Sequence, residues 1–243
     1  MCVSLVEVRA GVMLPAIRED ITLHTEDGLD LVGELALPAE HPPVATLVTL
    51  HPLPTAQGFM DSHILRKAAA RLPALADLAV LRFNTRGTSS PRGTSDGHFE
   101  EGLGERLDVA AAMAFVAERN LPNPWLVGWS FGTELALKYG REHAIRGAIL
   151  LSPPLHRASA AEVAAWHGDP RELTALIPEH DDYLQPPEAV ERFASVPEMR
   201  VLPIEGAKHL WVGEKYVKIV LDEIVRVTNP DALPLPTEWD EAE

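Results

Sequence analysis

The sequence predicts an α/β protein with one doubly wound, mostly parallel sheet and an antiparallel hairpin at its N-terminal edge. From residue 45 onward, short β-branched and apolar runs alternate with stretches whose apolar residues recur at helical spacing. Such alternation implies parallel strands joined by crossover helices on both faces of the sheet. Before that point, two β-rich stretches at residues 21–25 and 29–37 flank the turn signal Glu-Asp-Gly at residues 26–28. This pattern predicts a hairpin.

The elements after the hairpin are each predicted from a local pattern. Residues 45–50 fit a strand buried on both faces, and the prolines at positions 52 and 54 end it. Further strands are predicted at residues 78–83, 125–128, 148–151, 173–177 and 199–204. Helices are predicted at residues 61–72, 102–119, 131–139, 160–166 (a short piece) and 186–193, and a final one presents Val217, Val220, Leu221 and Ile224 on its apolar face.

We expect residues 1–228 to form one α/β domain without a large cap. The length of 243 residues is within the range that a single α/β core uses, and the stretch between the strands at 148–151 and 173–177 is too short for a cap domain. The tail at residues 229–243 has three prolines, five acidic residues and no basic residue. It is therefore predicted to be a flexible or surface-draped extension that adds little to the core.

Composition and charge argue against several classes of function. The chain carries 21 Lys and Arg against 36 Asp and Glu, a net charge of -15, which disfavours binding to nucleic acid or to an anionic membrane. No stretch reaches the ~20 apolar residues of a membrane-spanning helix, and residues 1–13 lack the basic segment of a secretory signal. We therefore expect a soluble, cytoplasmic protein. The single cysteine, Cys2, cannot form an intrachain disulfide.

The motif Gly-Trp-Ser-Phe-Gly at residues 128–132 is the strongest functional signal. It lies where a predicted strand ends and a predicted helix begins. A serine on such a sharp turn projects its hydroxyl above the sheet, and the flanking glycines allow the bend and the close approach of the helix. Ser130 is therefore the candidate nucleophile. The alternative is an ordinary glycine-rich turn in which the serine caps the helix.

A nucleophilic serine needs a base to take its proton and an acid to orient that base. In proteins with this elbow, the acid follows a later strand and the histidine lies near the last one. His209 follows the last predicted strand and is the candidate base. Asp181 is the preferred acid, in the carboxylate-bearing loop that follows the strand at residues 173–177. Asp182 is its rival, and a solvated acidic loop with no catalytic residue is the remaining alternative.

Neither a metal nor a cofactor is predicted. His180, Asp181 and Asp182 are potential ligands, but adjacent residues rarely converge on one ion, and no second ligand cluster accompanies them. A glycine-rich phosphate-binding loop of the nucleotide type is absent from the sequence.

Over residues 21–227, the chain resembles the α/β-hydrolase superfamily. More narrowly, it is similar to the small members that lack a large cap, which include the dienelactone-hydrolase-like and uncharacterised bacterial hydrolases. The resemblance rests on His51-Pro52, residues 81–87 (Leu-Arg-Phe-Asn-Thr-Arg-Gly), the elbow around Ser130, residues 178–181 and residues 206–209 (Gly-Ala-Lys-His). Pro178 stands where the family often has a glycine before the acid. Dienelactone hydrolases use a cysteine nucleophile, so Ser130 does not imply their specific activity.

The resemblance implies an oxyanion hole made of two backbone N–H groups. One belongs to the residue after the nucleophile, Phe131, and the other to Leu53 in the loop after the third strand. Because backbone groups do this work, the side-chain identities matter little.

Two further polar residues lie in loops of the predicted site edge. His51 is expected to shape its loop, and a catalytic role fits it less well because it precedes Ser130 in the chain. Arg86 is proposed to bind Glu105 or Asp108 in the following helix, with a solvated surface arginine as the alternative.

The predicted function is that of a serine hydrolase that cleaves a carboxylic ester or thioester of a small to medium acyl group through an acyl-enzyme on Ser130. Its partner would be a small-molecule substrate. The same triad serves acyl transfer and amide hydrolysis, so an acyltransferase or amidase stays open. From a different class, a binding or scaffold protein that keeps the fold without turnover is the alternative.

Overall fold

The structure, a computed structural model, describes residues 5–240 as alternating strands and helices. The strands are β1 (Leu5–Glu7), β2 (Ile17–His24), β3 (Asp30–Leu37), β4 (Ala45–Leu50), β5 (Leu78–Phe83), β6 (Ser89–Ser90), β7 (Gly93–Thr94), β8 (Pro124–Trp129), β9 (Gly147–Leu151), β10 (Glu172–His180), β11 (Arg200–Lys208) and β12 (Glu238–Asp240). The helices are α1 (His63–Ala76), α2 (Glu105–Glu118), α3 (Phe131–Tyr139), α4 (Ala160–Ala164), α5 (Pro186–Arg192) and α6 (Glu214–Thr228). Among these described helices, none combines the length and apolar character needed to cross a membrane.

An eight-stranded sheet in the order β11-β10-β9-β8-β4-β5-β3-β2 forms the centre of the fold. From β11 to β5 neighbouring strands are parallel, whereas β2, β3 and β5 pair antiparallel. This architecture confirms the predicted doubly wound, mostly parallel sheet with an N-terminal hairpin. The strand order reverses at β4, which lies between β5 and β8, so the loops after β4 and β8 leave the sheet side by side.

The central strands are covered on both faces because their successive side chains point to opposite sides of the sheet. In β4, Leu47 belongs to the apolar layer shared with α1 and α6, and Val48 belongs to the layer shared with α2 and α3. Every residue of β4 and β5 is buried. Between β9 and β10, the described chain forms only the short helix α4, so no cap is inserted there. In the described chain, the carboxyl ends of the buried central strands are therefore not covered by a cap inserted between β9 and β10.

Helix α1 continues to Ala76, so the prediction that it ends at residue 72 is wrong. Pro73 lies inside the helix and has no N–H to donate to the carbonyl of Ala69, four residues earlier. The Arg18 guanidinium replaces that donor, with Nη1 2.9 Å from the Ala69 oxygen. The helix thus passes its proline because a side chain of β2 supplies the missing hydrogen bond.

Strand β10 runs to His180, past the predicted end at residue 177. Pro178 lies beyond Leu176, the last residue that pairs with β9, while pairing with β11 continues on the other side. The missing N–H of the proline therefore interrupts no bond to β9. The extended β10 and β11 bring the residues that follow them, Asp181 and His209, to the same edge of the sheet.

The tail is draped over the body, and one of its leucines reaches the core. Leu235 is 6% exposed and belongs to the apolar layer around α1 and α6. The strand β12 pairs antiparallel with β1, and the N–H of Val8 donates to the Thr237 carbonyl at 2.8 Å. A few apolar residues in a polar segment are enough to fix its path. Cys2 and residues 241–243 lie outside the described residues.

Candidate active site

Ser130 lies on the turn between β8 and α3. Its backbone has φ 52° and ψ -118°, a conformation that residues other than glycine rarely adopt and that turns the strand sharply into the helix. The Ser130 N–H donates to the Leu151 carbonyl at 2.8 Å. The Ser130 carbonyl accepts from the N–H of Thr133 at 2.9 Å and from its hydroxyl at 2.6 Å. These bonds hold the strained turn in place.

Both glycines of the motif are required by close approaches of the backbone. A Cβ on Gly128 would lie 2.5 Å from the Gly132 carbonyl oxygen, and a Cβ on Gly132 would lie 2.0 Å from the Leu50 carbonyl oxygen. The first approach lets α3 pack onto β8, and the second lets α3 begin beside the end of β4. The Ser130 side chain makes no capping bond to α3. The alternative of a helix-capping serine is therefore not what the structure contains.

The three residues predicted as nucleophile, acid and base lie together at the sheet edge. Ser130 Oγ is 2.9 Å from His209 Nε2, and His209 Nδ1 is 2.9 Å from Asp181 Oδ2 and 3.1 Å from Oδ1. The side chains of His209 and Asp181 are 8% and 1% exposed. Solvent therefore screens this hydrogen-bonded chain only weakly.

The hydrogen bonds of Asp181 fix where the protons lie. Its Oδ1 also accepts the backbone N–H of Tyr183 at 2.9 Å and of Leu184 at 3.3 Å. A carboxylate only accepts hydrogen bonds, so Nδ1 of His209 carries the proton and Nε2 is free to accept the Ser130 hydroxyl. This is the tautomer that a general base requires.

Asp182, the rival acid, is exposed to solvent, whereas Asp181 is buried. The structure thus brings Asp181 and not Asp182 to the imidazole. His180 is also exposed, and its imidazole lies 3.7 Å from Glu179. Within residues 5–240, no group of three or more His, Cys, Asp or Glu side chains is arranged to hold a metal ion.

His51 lies directly after β4 and is 1% exposed. Its Nε2 accepts the N–H of Thr85 at 3.0 Å, so the proton resides on Nδ1, which donates to the Pro52 carbonyl at 2.7 Å. Burial lowers the pKa of His51 to about 4, which keeps the imidazole neutral near pH 7. His51 is therefore a fixed part of its loop, as expected from the sequence.

The bond from His51 orients the peptide that carries one predicted oxyanion donor. The peptide between Pro52 and Leu53 is trans, so its carbonyl and N–H point in opposite directions. Holding the carbonyl toward His51 turns the Leu53 N–H away from it. Phe131 begins α3, so its N–H is one of the unpaired donors of a helix start. In the described part of the chain, neither N–H donates to a protein acceptor.

Solved structures with the same arrangement of elements decide the fold. An α/β serine hydrolase without a lid from Xanthomonas campestris matches with a TM-score of 0.73 at 23% identity, over 92% of this chain and 99% of that one. The chain has the α/β-hydrolase fold. An α/β serine hydrolase homologue from Coxiella burnetii gives a TM-score of 0.74 at 21% identity, covering 86% and 96% of the two chains. An esterase from Pyrococcus furiosus gives 0.70 at 17%, covering 88% and 93%. The predicted resemblance is thus confirmed for the fold.

Sequence comparison finds a relative of this chain as well. The chain is 32% identical over 124 residues to an uncharacterised protein of Rickettsia prowazekii, and the match spans 49% of each chain. It thus covers about half the length of that relative. No family model matches the sequence.

Tyr183 is a residue of this candidate site that the sequence pattern did not reveal. Its ring meets the His209 imidazole edge to face, with 4.7 Å between centroids and 71° between planes. The side chain is half exposed, so one part of it covers the imidazole and another part faces solvent. Its position two residues after the acid is the only sequence signal, and that becomes readable only once Asp181 is identified.

Arg86 joins the loop after β5 to helix α2. Its backbone N–H and Nε donate to the Asp108 carboxylate at 2.8 and 2.9 Å, and its Nη1 donates to Glu100 at 2.7 Å and to Asp27 at 3.0 Å. The side chain is 2% exposed, so it is not a solvated surface arginine. Of the two predicted partners the structure selects Asp108, because Glu105 accepts two backbone N–H groups of the preceding loop.

Proposed function

We propose that this protein is a serine hydrolase that cleaves carboxylic esters or thioesters of small to medium acyl groups. The observation that carries the proposal is the hydrogen-bonded chain from Ser130 Oγ through His209 to Asp181, with 2.9 Å at each contact. A serine that only stabilises a turn needs neither an imidazole nor a buried carboxylate behind it. Together, these groups form the arrangement that activates a hydroxyl as a nucleophile.

In the acylation step, Ser130 Oγ forms a bond to the substrate carbonyl carbon while its proton passes to His209 Nε2. The Asp181 carboxylate, held by two backbone N–H groups, stabilises the resulting imidazolium. The imidazolium then gives the proton to the leaving alcohol or thiol as its bond to the carbonyl carbon breaks. The acyl group remains on Ser130.

The N–H groups of Leu53 and Phe131 would stabilise the oxyanion of each tetrahedral intermediate. One such donor is typically worth about 2.7–4 kcal/mol in the transition state. In deacylation, His209 takes a proton from water as the water oxygen attacks the acyl carbon, and it returns the proton to Ser130 Oγ when the ester bond breaks. The resting site is thereby regenerated.

The expected substrate size follows from the open surroundings of the triad. A cleft of about 350 Å³ borders His209 and is lined by Asp182, Gly206, Lys208, Leu210, Val212 and Tyr216, whereas Ser130 lies outside it. Leu210 and Val212 are 56% and 72% exposed and give this rim an apolar character. Since α4 is the only helix between β9 and β10 in the described chain, no lid encloses a long chain.

An alkyl fluorophosphonate probe, which reacts with activated serines, tests the proposal. Wild-type protein should be labelled once, and Ser130→Ala should not be labelled while keeping its melting temperature. Ser89→Ala, which removes an exposed serine hydroxyl of the β6–β7 hairpin, is the matched control and should label like wild type.

A series of p-nitrophenyl esters of increasing acyl length, beside acyl-CoA thioesters, then defines the bond and the acyl group. The proposal expects the highest kcat/KM at short to medium acyl chains. Unlabelled wild type that turns over no ester or thioester would instead indicate a non-catalytic binding protein, and labelling of Ser130→Ala would discard the nucleophile.

A further inference from the structure

The backbone of the loop that carries His209 is bonded to the rest of the molecule through two consecutive carbonyls. The Trp211 N–H donates to the Lys208 carbonyl at 2.9 Å, which closes a tight turn with His209 and Leu210 at its centre. The central carbonyls of such a turn point away from it and need partners elsewhere. Side chains of three other elements supply them.

The His209 carbonyl accepts two of these bonds. The indole Nε1 of Trp129, at the end of β8, lies 3.2 Å from it, and the hydroxyl of Ser152, directly after β9, lies 3.1 Å from it. The next carbonyl, that of Leu210, accepts a bond from Nε2 of His63 at the start of α1, at 2.6 Å. The His63 ring also meets the Trp129 ring edge to face, with centroids 5.3 Å apart.

The same residues are connected to the nucleophile. Trp129 immediately precedes Ser130, so one residue joins the backbone of the elbow to the carbonyl of the base. Ser152 follows Leu151, whose carbonyl accepts the Ser130 N–H at 2.8 Å. Each bond to the His209 carbonyl therefore fixes the base loop directly against the backbone that holds the serine.

We propose that Trp129, Ser152 and His63 are positioning residues that set the His209 imidazole against Ser130 and Asp181. The inference rests on the proposed hydrolase function. These three residues act through the backbone. Because the carbonyl of residue 209 is fixed, its Cα–Cβ bond has one direction. From that direction the imidazole reaches both Ser130 and Asp181. A shift of about 1 Å in such a contact can cost on the order of 10²-fold in rate.

The first test compares Trp129→Phe, Ser152→Ala and the double variant. Because the carbonyl accepts two bonds, each single change leaves one in place, and kcat/KM should fall about three- to tenfold, as expected for one neutral hydrogen bond. The double variant should lose at least about a hundredfold, more than the product of the single losses, because the carbonyl is then released. The loss should appear in kcat, with KM nearly unchanged.

Matched controls separate positioning from general stability. Trp166→Phe removes a comparable buried bond, from Nε1 to the Leu137 carbonyl at 2.9 Å. Ser95→Ala removes the bond from Oγ to the Asn84 carbonyl at 2.8 Å and the bond that Oγ accepts from the Val32 N–H at 3.0 Å. Both should lower the melting temperature at least as much as the site variants and leave kcat unchanged. Equal losses of kcat in the controls, or wild-type kcat in the folded double variant, would overturn the proposal.

His63 gives an independent comparison should the double variant not fold. His63→Gln keeps an N–H donor that can reach the Leu210 carbonyl, whereas His63→Phe keeps a ring but no donor. Turnover should be retained in the first and fall severalfold in the second. Equal turnover in the two variants would remove His63 from the set.

Proton NMR without substrate tests positioning independently of turnover. The Nδ1 proton of His209, hydrogen-bonded to Asp181, should give a low-field signal in wild type and in both controls, and the signal should broaden or vanish in the double variant. If wild type proves inactive yet shows this pattern, the proposed function fails and the positioning stands. If the signal persists in the double variant, the positioning fails.

Discussion

The two loops that meet at Ser130 are held in different ways. The loop after β4 is fixed mainly from within, since His51 donates to the Pro52 carbonyl and the Leu53 carbonyl accepts the N–H groups of Ala56 and Gly58. The loop after β11 is fixed from outside, by side chains that belong to β8, α1 and the residue after β9.

The two loops therefore obtain their backbone conformations in different ways. A loop bonded to itself takes its shape from a short stretch of sequence, whereas a loop held by distant side chains takes its shape only when the sheet is assembled. Of the groups that take part in catalysis, changes within the first loop should affect the oxyanion donor and not the base. Changes at the second should come from elements far away in the chain. The following predictions test this comparison in order of decreasing effect.

Removing the carboxylate that orients His209 should have the largest effect on kcat. Asp181→Asn should lower kcat by about 10⁴-fold, the loss typical of this change in serine proteases, because the amide neither fixes the imidazole tautomer nor stabilises the imidazolium. Asp182→Asn is the matched control and should change kcat less than about threefold, because its exposed carboxylate acts on His209 only through screened charge. Steady-state ester hydrolysis measures both, and the reverse ranking would make Asp182 the acid.

Displacing the Leu53 N–H, one of the two proposed oxyanion donors, should have the next largest effect on kcat. A Cβ on Gly58 would lie 2.1 Å from the Pro52 carbonyl oxygen, so Gly58→Ala must displace the peptide that carries the Leu53 N–H. We expect kcat to fall about 10²- to 10³-fold, the value of one oxyanion donor.

Gly147→Ala is the control for Gly58→Ala. It creates a similar clash, 2.2 Å from the Glu172 carbonyl oxygen, but at the amino end of β9. It should reduce the melting temperature without changing kcat. If both variants lose activity in proportion to stability, the Leu53 N–H is not a specific oxyanion donor.

A substitution remote from both loops sharpens the comparison. Leu235→Ala should lower the free energy of unfolding by about 2–3 kcal/mol, because it removes a buried side chain of the tail. Since Leu235 makes none of the hydrogen bonds that hold the two loops, kcat should not change. Urea unfolding and ester hydrolysis measure the two quantities, with Met13→Ala, at a 66% exposed position, as the neutral control.

The smallest effect is the pH dependence that the first loop derives from His51. Burial lowers the pKa of His51 from 6.5 to about 4, so the unfolded chain binds the proton first. The free energy of unfolding should therefore fall as the pH drops below 6.5, by about 2 kcal/mol between pH 7 and pH 5.

The contribution of His51 must be measured as a difference. Burial raises the pKa of Asp108 to about 6, which acts in the opposite direction over the same pH range. Subtracting the profile of His51→Gln from that of wild type cancels Asp108 and leaves the contribution of His51. His41→Gln, at an exposed histidine, should reproduce the wild-type profile. Parallel profiles for wild type and His51→Gln would contradict a buried neutral imidazole.

The sequence allowed the fold class and the approximate place of the triad residues to be predicted, because these depend on local patterns. Strand and helix periodicity placed Ser130, Asp181 and His209 after strands that reach one edge of a parallel sheet. The sequence left open whether Asp181 or Asp182 is the acid, because neighbouring residues at the end of a strand are distinguished only by the directions of their side chains. That direction depends on packing between β10 and β11, which no local pattern contains.

The contacts that the sequence did not reveal are long-range. Trp129 and Ser152 meet the His209 carbonyl only after β8, β9 and β11 have found their order in the sheet. The course of the tail depends in the same way on a cavity for Leu235 that α1 and α6 create. Composition described the tail correctly as acidic and rich in proline, but composition does not report where a single leucine can be buried.

The proline inside α1 makes the stability contributed by Arg18 depend on the residue at position 73. Pro73 leaves the Ala69 carbonyl without its helical donor, and Arg18 supplies a replacement at 2.9 Å. Without the arginine, this carbonyl of a buried residue loses its partner, a penalty of about 1–3 kcal/mol. A residue at position 73 that carries an N–H would restore the helical donor, so the two positions are energetically coupled, and the cost of removing Arg18 is larger with the proline than without it.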